Sequence, residues 1–407
     1  MVVPDETNAE GTNVRRLTDS PGEDFNAVWQ PLPVQESDEA QPIPTAPPVS
    51  IFLTQSPQRF PGQYTVQVGL GDLDADGDLD AVFANMQSSH SQVWLNDGSG
   101  QFVDSGQELT QQGHGVGIGD LDGDGDLDLF VPCASYGEGS IEYHKPSKVY
   151  LNNGSGTFQD SGQDLGDTAL SGTSVTLIDI DTDDDLDACV SYYEHPYKVY
   201  LNDGTGTFAE SDLSFPPESE LGWADLDGDG DLDVFIKDAG EGYTVMLNNG
   251  GVQGGTPGDY VEHWQQEDPN VTWGDVGLGD LDADGDPDAV VASGDRHSSS
   301  PTFVFLNDGT GRFVDSGQEL SRTRFAGIEL ADLDDDGDLD AFITNFQRPD
   351  EVWLNDGAGR FYDSGLRLSG SNPSNGGGFG DLDSDGDLDI FVATFGNASN
   401  VIWLNDG

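Results

Sequence analysis

The sequence predicts an all-β fold, a seven-bladed β-propeller of four-stranded blades, and three observations carry that expectation. An acidic cluster of the form D-x-D-x-D-G-x-x-D recurs seven times, starting at Asp72, Asp120, Asp179, Asp225, Asp280, Asp332 and Asp381. The starts are 48, 59, 46, 55, 52 and 49 residues apart, a period that suits one blade. Every copy also carries the same apolar and turn-forming flanks, so that 407 residues can be absorbed in one repetitive body.

Taken in chain order, residues 1–49 carry no repeat and are rich in Pro, Glu and Ser from Pro31 to Pro48, which reads as a linker or disordered arm, a tether to something upstream. The propeller is expected over residues 50–407. Its first segment, 51–60 (IFLTQSPQRF), lies where the last strand of a blade would: Phe52 is 20 residues before Asp72, as Phe361 is 20 before Asp381. The seventh repeat stops at Gly407, short of its own fourth strand. The N-terminal strand is therefore expected to complete the last blade and close the ring, leaving no free edge.

Within a repeat, strand A alternates small residues, as in Val68-Gly69-Leu70-Gly71 and Val276-Gly277-Leu278-Gly279, which suits a crowded strand lining a central axis. Strand B follows the cluster as an apolar run, Ala81-Val82-Phe83 or Ile390-Phe391-Val392, the pattern of a strand buried on both faces. Strand C is nearly invariant: Val93-Trp94-Leu95-Asn96 in the first repeat, Val199-Tyr200-Leu201-Asn202 in the third, Ile402-Trp403-Leu404-Asn405 in the last. An N-D-G or N-N-G turn then leads into strand D, because Asn and Gly supply the positive φ that a tight hairpin needs.

The clusters themselves have the chemistry of a hard-cation site. In the first, Asp72, Asp74, Asp76 and Asp80 present carboxylates at positions 1, 3, 5 and 9, and the backbone carbonyl of Asp78 can complete an all-oxygen shell. The corresponding positions are Asp120, Asp122, Asp124, Asp126 and Asp128; Asp179, Asp181, Asp183, Asp185 and Asp187; Asp225, Asp227, Asp229, Asp231 and Asp233; Asp280, Asp282, Asp284, Asp286 and Asp288; Asp332, Asp334, Asp336, Asp338 and Asp340; and Asp381, Asp383, Asp385, Asp387 and Asp389. Oxygen ligands in a flexible loop select Ca²⁺, and about seven ions are expected, one per blade.

An EF-hand would need Glu at position 12, but that position is Phe83, Val131, Val190, Ile236, Val291, Ile343 and Val392. Two loops depart from the pattern, with Asp184 at the glycine position of the third and Pro287 at position 8 of the fifth. The third is expected to hold its ion most weakly. The formal charge of −63 also calls for a cation, since 37 of the 77 acidic residues fall in the clusters. A surface adapted to high salt would add acidity without such clustering.

These features resemble the FG-GAP/VCBS repeat family, whose best-known member is the integrin α-subunit propeller, over roughly residues 50–407. The resemblance implies Ca²⁺ at positions 1, 3, 5, 7 and 9 of each loop, and here all seven blades carry the motif. It implies no single activity, because propellers host many functions.

In a propeller the A-to-B and C-to-D connections share one face, so the opposite face is free to recognise a ligand. On that side fall His90, His114, His144, His195 and His297, together with Lys145, Arg296, Arg322, Arg324 and Arg348, and Tyr136, Tyr143, Tyr192, Tyr193 and Tyr197. His114, Tyr143, His144, Tyr192, Tyr193, His195, Arg296, His297, Arg322, Arg324 and Arg348 form the candidate ligand-binding set. Loops also collect polar residues without any ligand. Glu329 stands in strand A where glycine is usual, as a channel-lining or solvated residue.

Two function classes follow. One is a non-catalytic module binding a glycan or a protein. The other is a polysaccharide lyase on uronate polymers, with His114, His144, His195 or Tyr193 abstracting the proton α to the carboxylate while an Arg neutralises it. No compact motif sets out base, acid and neutraliser, which favours binding. There is no basic groove for nucleic acid and no G-x-S-x-G elbow.

No stretch reaches the ~20 apolar residues of a membrane span. The N-terminus lacks the layout of a secretory signal, so a signal has been removed or the chain begins after one. Several Ca²⁺ ions in exposed loops suit the millimolar calcium outside cells, hence a secreted or cell-surface setting. Cys133 and Cys189 are expected as buried free thiols or a disulfide.

Overall fold

A computed structural model describes residues 51–60, 64–86, 90–111, 113–132, 145–167, 170–250, 256, 258–294, 300–324, 327–346, 348–368, 374–394 and 398–407. The arm expected over residues 1–49 lies outside them, as does Cys133. Cys189 is a buried free thiol.

The described strands form seven four-stranded antiparallel sheets in a ring, and among the described residues there is no helix. Blade one runs Thr65–Gly71, Asp80–Asn85, His90–Asn96 and Phe102–Gln111, in that spatial order. Strand B is the deepest strand, as its apolar run requires. Asp80–Asn85, Asp187–Tyr192 and Asp389–Thr394 are buried at every residue.

The core lies between neighbouring blades. Phe235 and Tyr243 of blade four pack with Phe305 and Phe313 of blade five, and the cluster of Phe83, Trp94 and Phe102 in blade one includes Phe391 of blade seven. Strand A glycines make this approach possible. A Cβ on Gly69 would sit 2.7 Å from Ile118 Cδ1 of the next blade, and one on Gly277 would sit 2.9 Å from Ile328 Cγ2. The small-residue alternation therefore reflects the side chains of the following blade as much as the channel.

Blade seven takes its fourth strand from the other end of the chain. Leu53–Gln55 pairs antiparallel with Val401–Asn405, Leu53 lying opposite Asn405. The equal 20-residue offset predicted Phe52 there, but Leu53 holds the place that Phe102 holds opposite Asn96, and Phe52 is 63% exposed. The offset misleads because the connection from strand D to the next cluster varies: Phe102 precedes Asp120 by 18 residues. Beyond this strand, Gln58 donates from Nε2 to the Phe102 carbonyl (2.6 Å) and accepts from the Phe102 N–H (3.0 Å). Gln107, Gln163 and Gln318 each tie their blade to the next by accepting the N–H of the corresponding Phe, while donating to the carbonyl of the glycine two residues before it. Phe60, 1% exposed, packs against Phe83, Trp94, Phe102 and Phe391.

Candidate functional site

Each Asp cluster is the A-to-B connection of its blade, and its fold is set by its own carboxylates. In blade one Asp72 Oδ1 accepts the Asp76 N–H (3.1 Å) and Oδ2 the Gly77 N–H (3.1 Å), while Asp76 Oδ1 accepts the Asp78 N–H (3.1 Å). This winding needs positive φ at position 6, which Gly77 supplies with φ 98°. Asp184 adopts φ 72° in the third loop and still donates its N–H to Asp179 Oδ2 at 3.0 Å. Pro287 of the fifth loop gives up only an N–H, and its carbonyl accepts from Asn307 Nδ2 (3.2 Å) as Leu79 accepts from Asn96. Both departures therefore keep the loop geometry.

Position 9 has a second duty that the sequence did not reveal. Asp80, fully buried, accepts the Leu73 N–H on Oδ2 (2.9 Å) and the strand C Asn96 N–H on Oδ1 (2.7 Å). Asn96 in turn donates from Nδ2 to the carbonyl of Leu382, in the cluster of the preceding blade, at 2.8 Å. Asn152 to Leu73, Asn202 to Leu121, Asn307 to Leu226, Asn355 to Leu281 and Asn405 to Leu333 repeat that bond. In blade four Asn248 accepts instead from Gly250 and Gly258. The strand C Asn, read above as a turn residue, thus locks the loop of the preceding blade in every blade but the fourth.

Position 7 turns its side chain to the C-to-D hairpin. A Cβ on Gly98 would meet Asp78 Oδ2 at 2.5 Å, so this glycine answers to crowding as well as to its φ of 74°. The same contact sets the two connections at one end of the blade.

The remaining carboxylates converge. Ligand atoms of Asp72, Asp74 and Asp80 lie within 4.8 Å of one another, as do those of Asp120, Asp122 and Asp128, of Asp179, Asp181 and Asp187, of Asp225, Asp227 and Asp229, and of Asp280, Asp282 and Asp288. At position 3, Oδ1 of Asp74, Asp122, Asp181, Asp282, Asp334 and Asp383 is buried with no hydrogen-bond partner. Burial first, then neighbouring carboxylates, push Asp334 up to about 6, and burial raises Asp340 and Asp389 to about 7 despite two backbone N–H bonds each. A buried, unsatisfied anionic oxygen is costly unless a cation faces it. The donor set therefore fits a hard divalent ion.

At the other end of the blades the predicted residues disperse. His114 is buried, and burial lowers its imidazole to about 4, so it is withdrawn from any surface ligand. Tyr192 is buried with its hydroxyl 2.8 Å from that of Tyr200, and Tyr197 donates to the Ser219 carbonyl at 2.6 Å. Tyr193, 60% exposed, and His195 stand at the B-to-C turn of blade three. Arg322 and Arg348 are exposed and in contact through Arg348 Nη1 and the Arg322 carbonyl (2.8 Å), with Arg324 half-buried beside them. Tyr136, Tyr143, His144, Arg296 and His297 lie outside the described residues. Trp273, 36% exposed in the connection from blade four to blade five, was missed because one Trp in a loop carries no pattern.

A charged group inside the ring was also missed. Lys237, fully buried in strand B of blade four, donates to the Thr272 carbonyl at 2.6 Å and interacts with Glu220 and Asp275. Asp275 accepts the N–H groups of Val276 (2.9 Å) and Ile328 (3.1 Å), joining blades five and six. Burial, then the Asp275 charge, push Glu329 up to about 8. Glu329 stood out in the sequence; the overlooked signals were Lys237 within an apolar strand B and Glu220 within strand A of blade four.

The sign of the pH effect follows. A carboxyl whose folded pKa exceeds its unfolded value stabilises the fold fully below the unfolded value, and that contribution is lost as pH rises through about 8. Glu329→Gln is expected to flatten the decline in stability between pH 5 and 9 by on the order of 3 kcal/mol. Thermal melts of both proteins in saturating calcium measure it; equal slopes would refute the assignment.

Seven four-stranded blades, each with an acidic loop at the same corner, define a repeat β-propeller. The chain belongs to the FG-GAP-like repeat family, whose profile matches residues 72–131, 139–190, 188–236, 225–291, 280–343 and 332–392. No curated protein matches. Among solved structures, a lectin, BP39L of Burkholderia pseudomallei, is similar with TM-score 0.62 and 13% identity, over 85% of this chain and 97% of that one. BBS1N in complex with ARL6DN, from a mercury-soaked crystal, is similar with TM-score 0.56 and 12% identity, over 87% and 96%. At such identities the likeness concerns the fold.

Proposed function

We propose that the protein is a calcium-stabilised, non-catalytic binding module, working outside cells, that engages a glycan or protein through the face opposite its Asp loops. The observation that supports this division of labour is the set of buried, unpartnered position 3 oxygens, which suits loops that serve as a cation-holding framework. Seven divalent ions would bring the formal charge from −63 to −49. Recognition then falls to the opposite end, where Tyr193, His195, Trp273 and Arg322 are exposed. The propellers it resembles include a lectin and a protein crystallised with a protein partner, which suits a binding role.

A glycan array screened with the calcium-loaded chain is expected to show binding that weakens at least tenfold in Tyr193→Ala, with no ultraviolet signal from unsaturated uronate products. Product formation would replace this reading with a lyase. The lyase reading is already narrowed, since burial removes His114 from its candidate bases.

A further inference from the structure

We infer that Arg322, Arg324 and Arg348 form a site for the carboxylate of an acidic sugar; the inference rests on the binding reading above and narrows it to uronate-bearing glycans. The chain has 14 Lys and Arg against 77 acidic residues, so an anion approaching it meets repulsion over most of the surface. An arginine in such a chain would be expected to find an internal acid. Lys148 does so with Asp160 and Asp164, Lys198 with Glu210, and Arg367 with Asp363. Arg324 and Arg348 have no carboxylate at ion-pair distance among the described residues, and Arg324 Nε is buried there without a hydrogen-bond partner. Arg312 and Arg360 stand singly on C-to-D hairpins, at the Asp-loop end.

The fold brings these three residues together from the end of one strand and two connections. Arg322 is the penultimate residue of strand D of blade five (Phe313–Thr323) and Arg324 follows that strand, while Arg348 belongs to the B-to-C connection of blade six. One backbone and one side-chain bond join them: Phe346 N–H donates to the Arg324 carbonyl (2.9 Å), and the Arg348 guanidinium donates from Nη1 to the Arg322 carbonyl (2.8 Å). Only Arg322 has a carboxylate partner, Glu319 at 3.1 Å, and that pair is exposed. Guanidinium forks match a carboxylate in two parallel hydrogen bonds, which a lysine cannot do.

The sugar is favoured over an acidic peptide by Trp273. Its connection, at the same end of the blades, reaches blade six through Asp275, which accepts the Ile328 N–H at the start of that blade. An exposed indole suits the C–H face of a pyranose, and the carboxylate of the same polymer suits the arginines. Salt should leave the affinity intact or raise it. Screening suppresses the long-range repulsion from the acidic surface more than the short contact to the guanidinium groups.

The test is calorimetry of the full calcium-loaded chain with three probes: a glucuronate-containing hyaluronan hexasaccharide, its carboxyl-reduced counterpart, and a hexaglutamate peptide. The hexasaccharide is expected to bind, the reduced sugar at least tenfold more weakly, and Arg324→Gln and Arg348→Gln to lose at least tenfold each with unchanged melting temperature. Arg324→Lys should recover less than half of the loss, and full recovery would overturn the bidentate contact. Equal binding of both sugars, unaffected by the arginine variants, would overturn the acidic site while leaving a glycan-binding face elsewhere. Arginine-dependent binding of the peptide alone would overturn the sugar. Binding of no probe would overturn the inference, and the glycan array then decides the broader reading by itself.

Discussion

Stripping calcium from the protein with EDTA is expected to lower its melting temperature by roughly 25 °C. A site that binds only the folded state, at a hundredfold over its Kd, adds about 2.7 kcal/mol. Seven such sites, spread over the unfolding entropy of about 360 residues, give a shift of that size. The physical origin is local. Without an ion, Asp74, Asp122, Asp181, Asp282, Asp334 and Asp383 each keep one buried oxygen with no donor, beside further carboxylates. Asp80 and its equivalents are held by burial at about 6 to 7.

Those values lie above the unfolded ones, so in EDTA the stabilising protonation is complete in acid and is lost as pH rises through 6 to 7. The metal-free protein should therefore melt higher at pH 5.5 than at pH 8, and calcium should remove that difference. Differential scanning calorimetry in both conditions measures this. A melt indifferent to EDTA at pH 8 would refute the metal assignment.

Deleting residues 1–60 is expected to abolish cooperative folding or yield oligomers, whereas deleting residues 1–49 alone should change little. We propose that residues 51–60 close the ring through their contacts on both sides. Leu53–Gln55 supplies the outer partner of Val401–Asn405, and Gln58 bonds to Phe102 of blade one. Removing them would bare the edge of Val401–Asn405, a template for pairing with another chain. It would also empty the Phe60 position among Phe83, Trp94, Phe102 and Phe391. Phe60→Ala alone is expected to cost about 3–5 kcal/mol. The Asn96 to Leu382 and Asn400 to Thr65 bonds and the packing of Phe391 against Phe83 and Phe102 would still join blades one and seven, but around an emptied Phe60 position. Calorimetry and size-exclusion chromatography of the two truncations decide the matter. A monomeric 61–407 chain that melts like the parent would show that the ring does not need this segment.

Much of this architecture was legible because repetition exposes it. A position that is Asp, Gly or Asn in seven registers reports a local demand, and local demands are written in neighbouring residues. The apolar run after each cluster became a buried strand B, and the excess of carboxylates in each loop became a convergent donor set. Where a residue occurs once, no such reinforcement exists. His114 and Tyr193 look alike as loop residues, yet one is buried and the other 60% exposed.

The acidic loops, their number and the strands that carry them were determined by the sequence alone, since the spacing of carboxylates and the hairpin chemistry act within one blade. Tertiary structure decided how the blades are joined and what their far ends offer. Asn96 meets Leu382, Gln58 meets Phe102, and Arg348 meets Arg322 across separations that no local pattern records. Their partners are set by ring geometry, and so is the burial that takes His114 from the surface and leaves the position 3 oxygens without a donor.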